Sequence, residues 1–155
     1  MIVTDTTSGK SHQVKIEPVE SGDYKNITKG RYFFDWAEEK DWEIYKLRII
    51  DSRDILGLVS FERIPAEWRI HIRLLSVSKE NKGSAKKYKH ITGNLITYVS
   101  KIAIKEYAEL ACVSLKPKEI IAQHYIDKYG MNITGMTLSV EIIEIMNLIN
   151  TYDHD

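Results

Sequence analysis

Residues 70–107 combine an apolar run, a lysine-rich loop and an amphipathic segment, in that order. The apolar run at 70–77 has the length and composition of a strand. The loop at 79–90 holds five lysines together with Gly83 and Ser84, a composition typical of irregular backbone. From Leu95 to Ala103, apolar residues recur at three- and four-residue steps, which places them on one helical face. The sequence therefore predicts a strand–loop–helix unit at its centre.

The start of the predicted helix, at Thr92 and Gly93, is suited to an anionic ligand. The first amides of a helix have no partner within it, and the helix N-terminus carries a partial positive charge. Both properties favour a phosphate group, and Gly93 would let the ligand approach the backbone closely. The P-loop pattern GxxxxGK(S/T) and the Rossmann pattern GxGxxG are both absent, so neither of those nucleotide sites is predicted.

Composition and charge restrict the remaining classes. The 155 residues can form one domain with a substantial core, and a net charge of zero argues against general attraction to nucleic acid or membranes. The single cysteine, Cys112, lies in an apolar run and predicts a reducing, cytoplasmic compartment. No apolar run approaches the roughly 20 residues of a membrane helix. Residues 1–13 are polar and predict a flexible N-terminus, followed by a single domain at 14–155.

Periodicity and turn residues predict an alternation of strands and helices along the chain. Strands are predicted at residues 14–19, 42–50, 55–63, 68–77, 110–115 and 133–140. Helical segments are predicted at residues 23–29, 32–40, 91–107, 118–129 and 141–152. Short turns make the strands between 42 and 77 antiparallel, whereas the helical connection makes the strands at 68–77 and 110–115 parallel. Gly57 within a strand predicts a bulge or a close contact.

The segment that opens the central helix resembles the pyrophosphate-binding segment of the GNAT N-acetyltransferase superfamily. The family signature is (Q/R)xxGx(G/A), and Lys87-Tyr88-Lys89-His90-Ile91-Thr92 occupies the matching place. Here Lys87 replaces Gln or Arg, His90 replaces the first Gly, and Thr92 replaces the second small residue. The string at 124–131, HYIDKYGM, resembles the xYekxGF ending of the same family, and Lys118 stands where the family often has Asn.

The resemblance implies an α+β fold whose central sheet is mostly antiparallel and is flanked by helices. One parallel pair, formed by the strands at 68–77 and 110–115, would splay apart to hold acetyl-CoA. Acetyl-CoA is then a co-substrate, no metal is expected, and the reaction moves an acetyl group to a primary amine. The string GNLITYVSK resembles a subgroup associated with bacteria. The residues implied for CoA binding are Leu75, Ser76, Val77, Lys87, Tyr88, Lys89, His90, Ile91, Thr92, Gly93 and Asn94.

Two residues are candidates for catalysis. The position of Tyr125 in the family ending implies a general acid that protonates the departing CoA sulfur, although a tyrosine on an amphipathic helix can equally serve packing. His71 falls where one family subgroup carries a Glu base, and the ordinary pKa of histidine suits a base near neutral pH. A histidine hydrogen-bonded in the sheet is the alternative. Glu62 on the neighbouring strand is a rival base, and a relay of water molecules needs neither residue.

Two other function classes remain open. One is an acyl-CoA-binding regulatory or scaffold domain without turnover. The other is nucleic-acid binding through the lysine loop, which the zero net charge and the scarcity of aromatic residues in the loop disfavour. For the acetyltransferase, the predicted acceptor is a small molecule or peptide that carries an amine. The sequence leaves the oligomeric state open, with a homodimer among the alternatives.

Overall fold

The computed structural model describes residues 1–117 and 119–153, apart from the side chains of residues 119–121. Lys118 lies outside these residues, and so does its comparison with the family Asn. The strands are β1 (Ile2–Asp5), β2 (Ser11–Pro18), β3 (Glu43–Ile49), β4 (Ile55–Ile64), β5 (Arg69–Val77), β6 (Tyr88–Lys89), β7 (Cys112–Leu115), β8 (Asn132–Thr134) and β9 (Thr137–Val140). The helices are α1 (Lys29–Tyr32), α2 (Ile91–Tyr107), α3 (Glu119–Tyr129) and α4 (Ile142–Tyr152).

The chain divides into two compact units. The first comprises residues 1–60 and 74–95, and the second comprises residues 61–73 and 96–155. In the first unit the strand order is β6-β1-β2-β3-β4, and β1 pairs antiparallel with both β2 and β6. Its core packs Tyr32 and Trp36 against aliphatic residues of β3 and β4. The Tyr32 hydroxyl donates to the Ile55 carbonyl at 2.7 Å, so this buried polar group is satisfied.

The N-terminal residues differ from the predicted flexible terminus. Residues 2–5 form β1, in which Val3 is completely buried. Asp5 then closes the turn to β2, because its Oδ1 accepts the amides of Thr7 and Ser8 at 2.8 and 3.1 Å. The short apolar pair at the start of a polar string thus acquires a partner strand, β6, that local composition does not reveal.

The second unit contains the predicted parallel pair. Its strand order is β5-β7-β9-β8, and β5 runs parallel to β7 from Arg69 opposite Cys112 to Ile72 opposite Leu115. The parallel register confirms the prediction from the helical connection. The pairing covers only the first part of β5, because β7 ends at Leu115. A mixed α+β fold with a mostly antiparallel sheet, one parallel pair and flanking helices is therefore confirmed.

The prediction of a single C-terminal strand at residues 133–140 is wrong, because two short strands occupy this stretch. β8 and β9 form an antiparallel hairpin in which Thr134 faces Thr137 across a two-residue turn. Gly135 has a φ of +60° at the first central position, where hairpin turns of type II′ favour glycine. The closing helix α4 begins one residue later than predicted, with Glu141 as its N-cap, and it buries Ile145 and Leu148. Within the described residues, no helix combines the length and hydrophobicity needed to cross a membrane.

The central helix α2 begins at Ile91, as predicted, and packs closely against β4. A Cβ atom added at Gly57 would lie 2.7 Å from Ile91 Cγ2, 3.0 Å from Leu95 Cδ1 and 3.3 Å from the Ser76 carbonyl oxygen. The close contact predicted for Gly57 is therefore confirmed. This close approach of Gly57 to Ile91 and Leu95 holds the first turns of α2 against the sheet of the first unit. The candidate phosphate site at the start of α2 is held in place with them.

Candidate functional site

The basic loop between β5 and α2 is attached to the N-terminal strand. Within the loop, β6 pairs with β1 so that Lys89 faces Thr4 and Tyr88 faces Asp5. Beyond β1, the Thr6 amide donates to the Lys87 carbonyl at 2.9 Å. The Tyr88 ring lies edge-on to His12 of β2, with 5.9 Å between the ring centroids. The first residues of the chain therefore hold the second half of the loop in a defined conformation.

The first half of the loop is fixed by side-chain hydrogen bonds. Asn81 is buried, and its Nδ2 donates to Ser78 Oγ at 2.8 Å while its Oδ1 accepts the Tyr88 amide at 2.8 Å. Arg31 joins the loop to the β3–β4 turn, because its Nε donates to Glu80 Oε1 at 3.1 Å and its Nη1 to Asp54 Oδ1 at 2.7 Å. The loop is therefore ordered by the protein itself, and a ligand would meet a preformed backbone.

His90 occupies an unusual backbone conformation immediately before α2. Its φ is +82°, in the left-handed region that glycine adopts most readily, and its carbonyl accepts the Asn94 amide at 3.0 Å. This is the position at which the GNAT signature has its first glycine. The sequence thus departs from the signature in residue type, whereas the backbone takes the shape that a glycine there would permit.

Two buried polar atoms near the ends of the loop lack a hydrogen-bond partner among the described residues. Ser76, near the end of β5, has an unpartnered Oγ, and Asn94, in the first turn of α2, has an unpartnered Oδ1. The Asn94 side chain is oriented by its Nδ2, which donates to the Ile2 carbonyl at 2.7 Å. Leaving such an atom unpaired costs about 1–3 kcal/mol. Both oxygens are shielded from the surface, as are the unpartnered hydroxyls of Thr97 and Ser100 farther along α2, so the unpaired atoms do not by themselves mark a ligand site.

The predicted CoA-binding residues are brought together in the first unit. Leu75 and Val77 are half-buried at the end of β5, whereas Ile91 and Gly93 are buried in the first turn of α2 beside half-buried Thr92. Lys87 and Lys89 are exposed. By contrast, the Lys82 ammonium packs over the Phe33 ring at 4.3 Å. The exposed lysines and the helix start together fit a ligand that carries phosphates.

His71 lies in the second unit, in a cluster with Arg69 and Ser114. The distance from His71 Nδ1 to Ser114 Oγ is 2.8 Å, and Arg69 Nη1 donates to the same hydroxyl at 2.7 Å. Burial and the charge of Arg69 hold the pKa of His71 below its ordinary value of 6.5, although Glu62 acts in the opposite direction. The ring is therefore neutral at neutral pH. Glu62, the rival base, lies 3.7 Å from Arg73.

Tyr125 belongs to an aromatic cluster on α3 in the second unit. Its ring centroid is 5.6 Å from that of Tyr129 and 6.1 Å from that of His124. Burial raises the pKa of Tyr125 above its ordinary value of 10.0, so the phenol is protonated at neutral pH. The aromatic neighbours of Tyr125 are compatible with the packing role that the sequence left open. A protonated phenol is compatible with the role of general acid.

Sequence reasoning missed Ser114 and the anchoring residues Arg31 and Asn81. Ser114 is a lone polar residue in an apolar strand and is 1% exposed. That isolation is a signal, because a buried hydroxyl needs a partner. The pairing of Arg31 with Glu80 spans 49 residues and has no local signature.

A polar cleft of about 790 Å³ in the first unit is lined by none of the predicted CoA-binding or catalytic residues. Its lining includes Glu17, Asp23, Lys46 and Arg48, which pair with one another. Lys46 Nζ is 2.6 Å from Asp23 Oδ2, and Arg48 Nε is 2.7 Å from Glu17 Oε1. Because these opposite charges satisfy each other, the lining does not select a ligand of either sign. The described residues also contain no group of side chains arranged to hold a metal ion.

Comparison with solved structures identifies the class to which the fold belongs. No family model matches the sequence, and no curated protein matches it. Many solved structures do match, and GNAT acetyltransferases are prominent among them. The chain has the GNAT fold, in agreement with the resemblance found in its sequence.

Three of these structures show the breadth of the class. A spermidine N-acetyltransferase SpeG chimera from Vibrio cholerae and hSSAT is similar with a TM-score of 0.65 and 14% identity, over 87% of this chain and 99% of that one. A GNAT acetyltransferase from Elizabethkingia anophelis with acetyl-CoA bound has a TM-score of 0.61 and 14% identity, over 83% and 98%. The ribosomal-protein-S18-alanine N-acetyltransferase from Escherichia coli has a TM-score of 0.61 and 11% identity, over 84% and 94%.

Proposed function

We propose that the protein is an N-acetyltransferase that moves an acetyl group from acetyl-CoA to a primary amine. The observation that carries the proposal is the preformed loop between β5 and α2, set in a GNAT fold. One structure with this fold contains acetyl-CoA, and others are acetyltransferases of spermidine and of a ribosomal-protein alanine. The shared chemistry is the acylation of an amine, and the acceptor class proposed for this chain is therefore a small molecule or peptide with a free amine.

Acetyl-CoA would be held by residues of the first unit. The amides of Ile91, Thr92 and Gly93 open α2 and are the donors proposed for the pyrophosphate. Lys87 and Lys89 are exposed and supply positive charge for the remaining phosphate.

The end of β5 offers further backbone groups. Because the pairing with β7 stops at Ile72, the backbone from Leu75 to Val77 has no partner in β7. Such a strand end can hydrogen-bond an extended ligand with amide groups in the same manner as a neighbouring strand. The incomplete pairing thus supports the splayed pair that the resemblance implies.

In this proposal the chain's own residues supply proton transfer. Acetyl-CoA provides a thioester whose carbonyl the amine attacks. The amine must first lose a proton, and His71 and Glu62 are the two candidates from the sequence for that step. Tyr125 is proposed to donate a proton to the departing thiolate, and its raised pKa keeps the phenol protonated until that moment.

The proposal is tested first by binding. Acetyl-CoA at a hundred times its dissociation constant should stabilise the fold by about 2.7 kcal/mol. For a domain of this size the melting temperature should then rise by roughly 5–10 °C. Gly93→Val should abolish the shift, whereas Gly22→Val, at an exposed position with no atom within 4 Å of an added Cβ, should retain it. Absence of any shift at millimolar acetyl-CoA would exclude both an enzyme and a CoA-binding domain.

The second measurement separates turnover from binding alone. Release of free CoA thiol is followed with acetyl-CoA and a panel of polyamines, aminoglycosides, amino acids and peptide N-termini. Amine-dependent release identifies an acetyltransferase and its acceptor class. A thermal shift without release from any amine would instead support the regulatory acyl-CoA-binding domain.

A further inference from the structure

We propose that His71 is a neutral hydrogen-bond donor that acts through Nε2, and that Ser114 and Arg69 are positioning residues that hold it in this form. The role towards substrate rests on the proposed acetyltransferase function. The tautomer itself rests only on the geometry of the cluster. The proposal replaces the base role that the sequence analysis gave to His71 with a donor role.

The guanidinium of Arg69 fixes the direction of the first hydrogen bond. A guanidinium can donate but cannot accept, so Ser114 Oγ is the acceptor of the 2.7 Å bond from Arg69 Nη1. The same Nη1 lies 3.5 Å from His71 Nδ1 and turns a donor towards that nitrogen. Arg69 is itself anchored, because its Nε donates to Glu67 Oε2 at 2.8 Å.

The hydroxyl proton of Ser114 then has one hydrogen-bond acceptor among the described residues. Ser114 is 1% exposed, so its proton needs a partner within the protein. His71 Nδ1, at 2.8 Å, is the remaining partner of this hydroxyl among the described residues. Nδ1 therefore accepts and carries the lone pair, which places the proton of the neutral ring on Nε2. A proton on Nδ1 would instead face the Arg69 donor and leave the Ser114 proton without an acceptor.

The charges around the ring keep it neutral. Arg69 and Arg73 lie on the same strand as His71 and, together with burial, disfavour the imidazolium, whereas Glu62 of β4 favours it. From β7, the neighbour of His71 in register is the uncharged Ser114. The balance lowers the pKa of His71, so a second proton is not gained near neutral pH.

A ring in this state can donate more readily than it can accept. To act as a base through Nδ1, His71 would have to break its bond to Ser114. Nε2 makes no hydrogen bond to a described residue and can offer its proton to an oxygen of a bound substrate. In acetyl transfer, such an oxygen is the thioester carbonyl, on which negative charge develops as the amine attacks. The amine proton is then left to Glu62 or to water.

The tautomer can be measured without any activity. In a long-range ¹H–¹⁵N correlation spectrum of ¹⁵N-labelled protein at pH 7.5, we expect His71 to show an unprotonated Nδ1 and a protonated Nε2. Ser114→Ala should shift His71 towards a mixture of tautomers, and Ser114→Thr, which restores a hydroxyl, should return it to the Nε2–H form. A protonated Nδ1 in the unmodified protein, or a doubly protonated ring at pH 7.5, would overturn the proposal.

The role towards substrate is tested by a matched pair of substitutions. A glutamine amide can place an N–H close to the position of Nε2 but cannot act as a base, whereas leucine can do neither. We expect His71→Gln to keep kcat within about tenfold of the unmodified protein and His71→Leu to lower it about a hundredfold or more. Equal losses in both variants would favour the base role and contradict the donor role. If no amine is acetylated at all, the proposed function fails, and the spectrum alone decides the tautomer.

Discussion

The left-handed backbone of His90 carries a cost that can be measured. Residues with a side chain pay about 1–2 kcal/mol for this conformation, and glycine does not. We expect the free energy of unfolding of His90→Gly to be about 1 kcal/mol higher than that of His90→Ala. Both substitutions remove the imidazole, but only glycine relieves the backbone strain. Denaturant unfolding of the two variants provides the comparison, and an alanine variant at least as stable as the glycine variant would show that φ at residue 90 is not strained.

Tyr125 allows the acid role to be separated from packing. Tyr125→Phe removes the hydroxyl and leaves the contact with Tyr129 in place. If the phenol protonates the thiolate, kcat should fall by about a hundredfold to ten-thousandfold while the affinity for acetyl-CoA is unchanged. The measurement is single-turnover thiol release with an amine found in the acceptor screen.

Tyr152→Phe is the matched control for this substitution. Tyr152 lies in the same aromatic cluster, 6.4 Å from Tyr129 between ring centroids, and burial also raises its pKa. It should lose little activity. If Tyr125→Phe retains turnover within threefold of the unmodified protein, Tyr125 has no part in the mechanism, and its place in the cluster is explained by packing.

At the scale of single residues, the sequence predicted spatial neighbours only where those residues are also close along the chain. Residues 87–94 form one turn of loop and helix, so their grouping follows from their order. Ser114 and Asn81 were missed because each acts on a partner whose position depends on the fold. Ser114 reaches His71 across 43 residues, through the register of the parallel strands.

At the scale of elements, Gly57 sets the distance between β4 and α2. Gly57→Ala would place a Cβ 2.7 Å from Ile91 and 3.3 Å from a backbone oxygen, so α2 must shift. Overpacking of this kind costs about 1–3 kcal/mol. Gly30→Ala, where an added Cβ meets nothing within 4 Å, is the control and should not destabilise. Chemical denaturation distinguishes them, and equal stability of both variants would show that the helix adjusts freely.

The elements themselves were predicted with uneven success, for physical reasons. The central helix and the parallel pair follow from strong local periodicity and from the handedness of strand–helix–strand connections. The β8–β9 hairpin was missed because β8 has only three residues, all of them exposed, and so gives no pattern of its own. The pairing of Ile133 with Leu138 places on one face two residues that a continuous strand would place on opposite faces, so the change of phase around Gly135 was the available signal. β1 was missed because four residues give too short a pattern, and its stability comes from β2 and β6.

For the whole molecule, titration predicts a window of maximum stability. The pKa of His71 is lowered from 6.5, so its contribution is present above that pH and is lost as the pH falls through the lowered value. The hydrogen bond from Arg48 lowers the pKa of Glu17 below 4.5, and this contribution is lost in a second acidic step. Burial raises the pKa of Tyr32 to about 12, so its contribution is lost as the pH rises above 10.

We therefore expect the free energy of unfolding to be highest between about pH 7 and pH 9. Urea midpoints recorded from pH 4 to pH 11 should fall at both ends of the range. In His71→Gln the decline between pH 7 and pH 5 should be weaker, because this variant lacks the group that titrates there. An unchanged slope in that variant would show that other groups cause the decline.

The pairing of β1 with β6 has a consequence for how the chain acquires its structure during synthesis. The β1–β2 hairpin can close as soon as its own residues have left the ribosome, but the bond from Asn94 to the Ile2 carbonyl joins residues 92 positions apart. At translation rates of about 5–20 residues per second, the outer edge of β1 waits roughly 5–18 s for its partner. During that interval it is an open strand edge, available to chaperones or to other nascent chains. The loop that would hold the phosphates is therefore among the later parts of the first unit to become ordered.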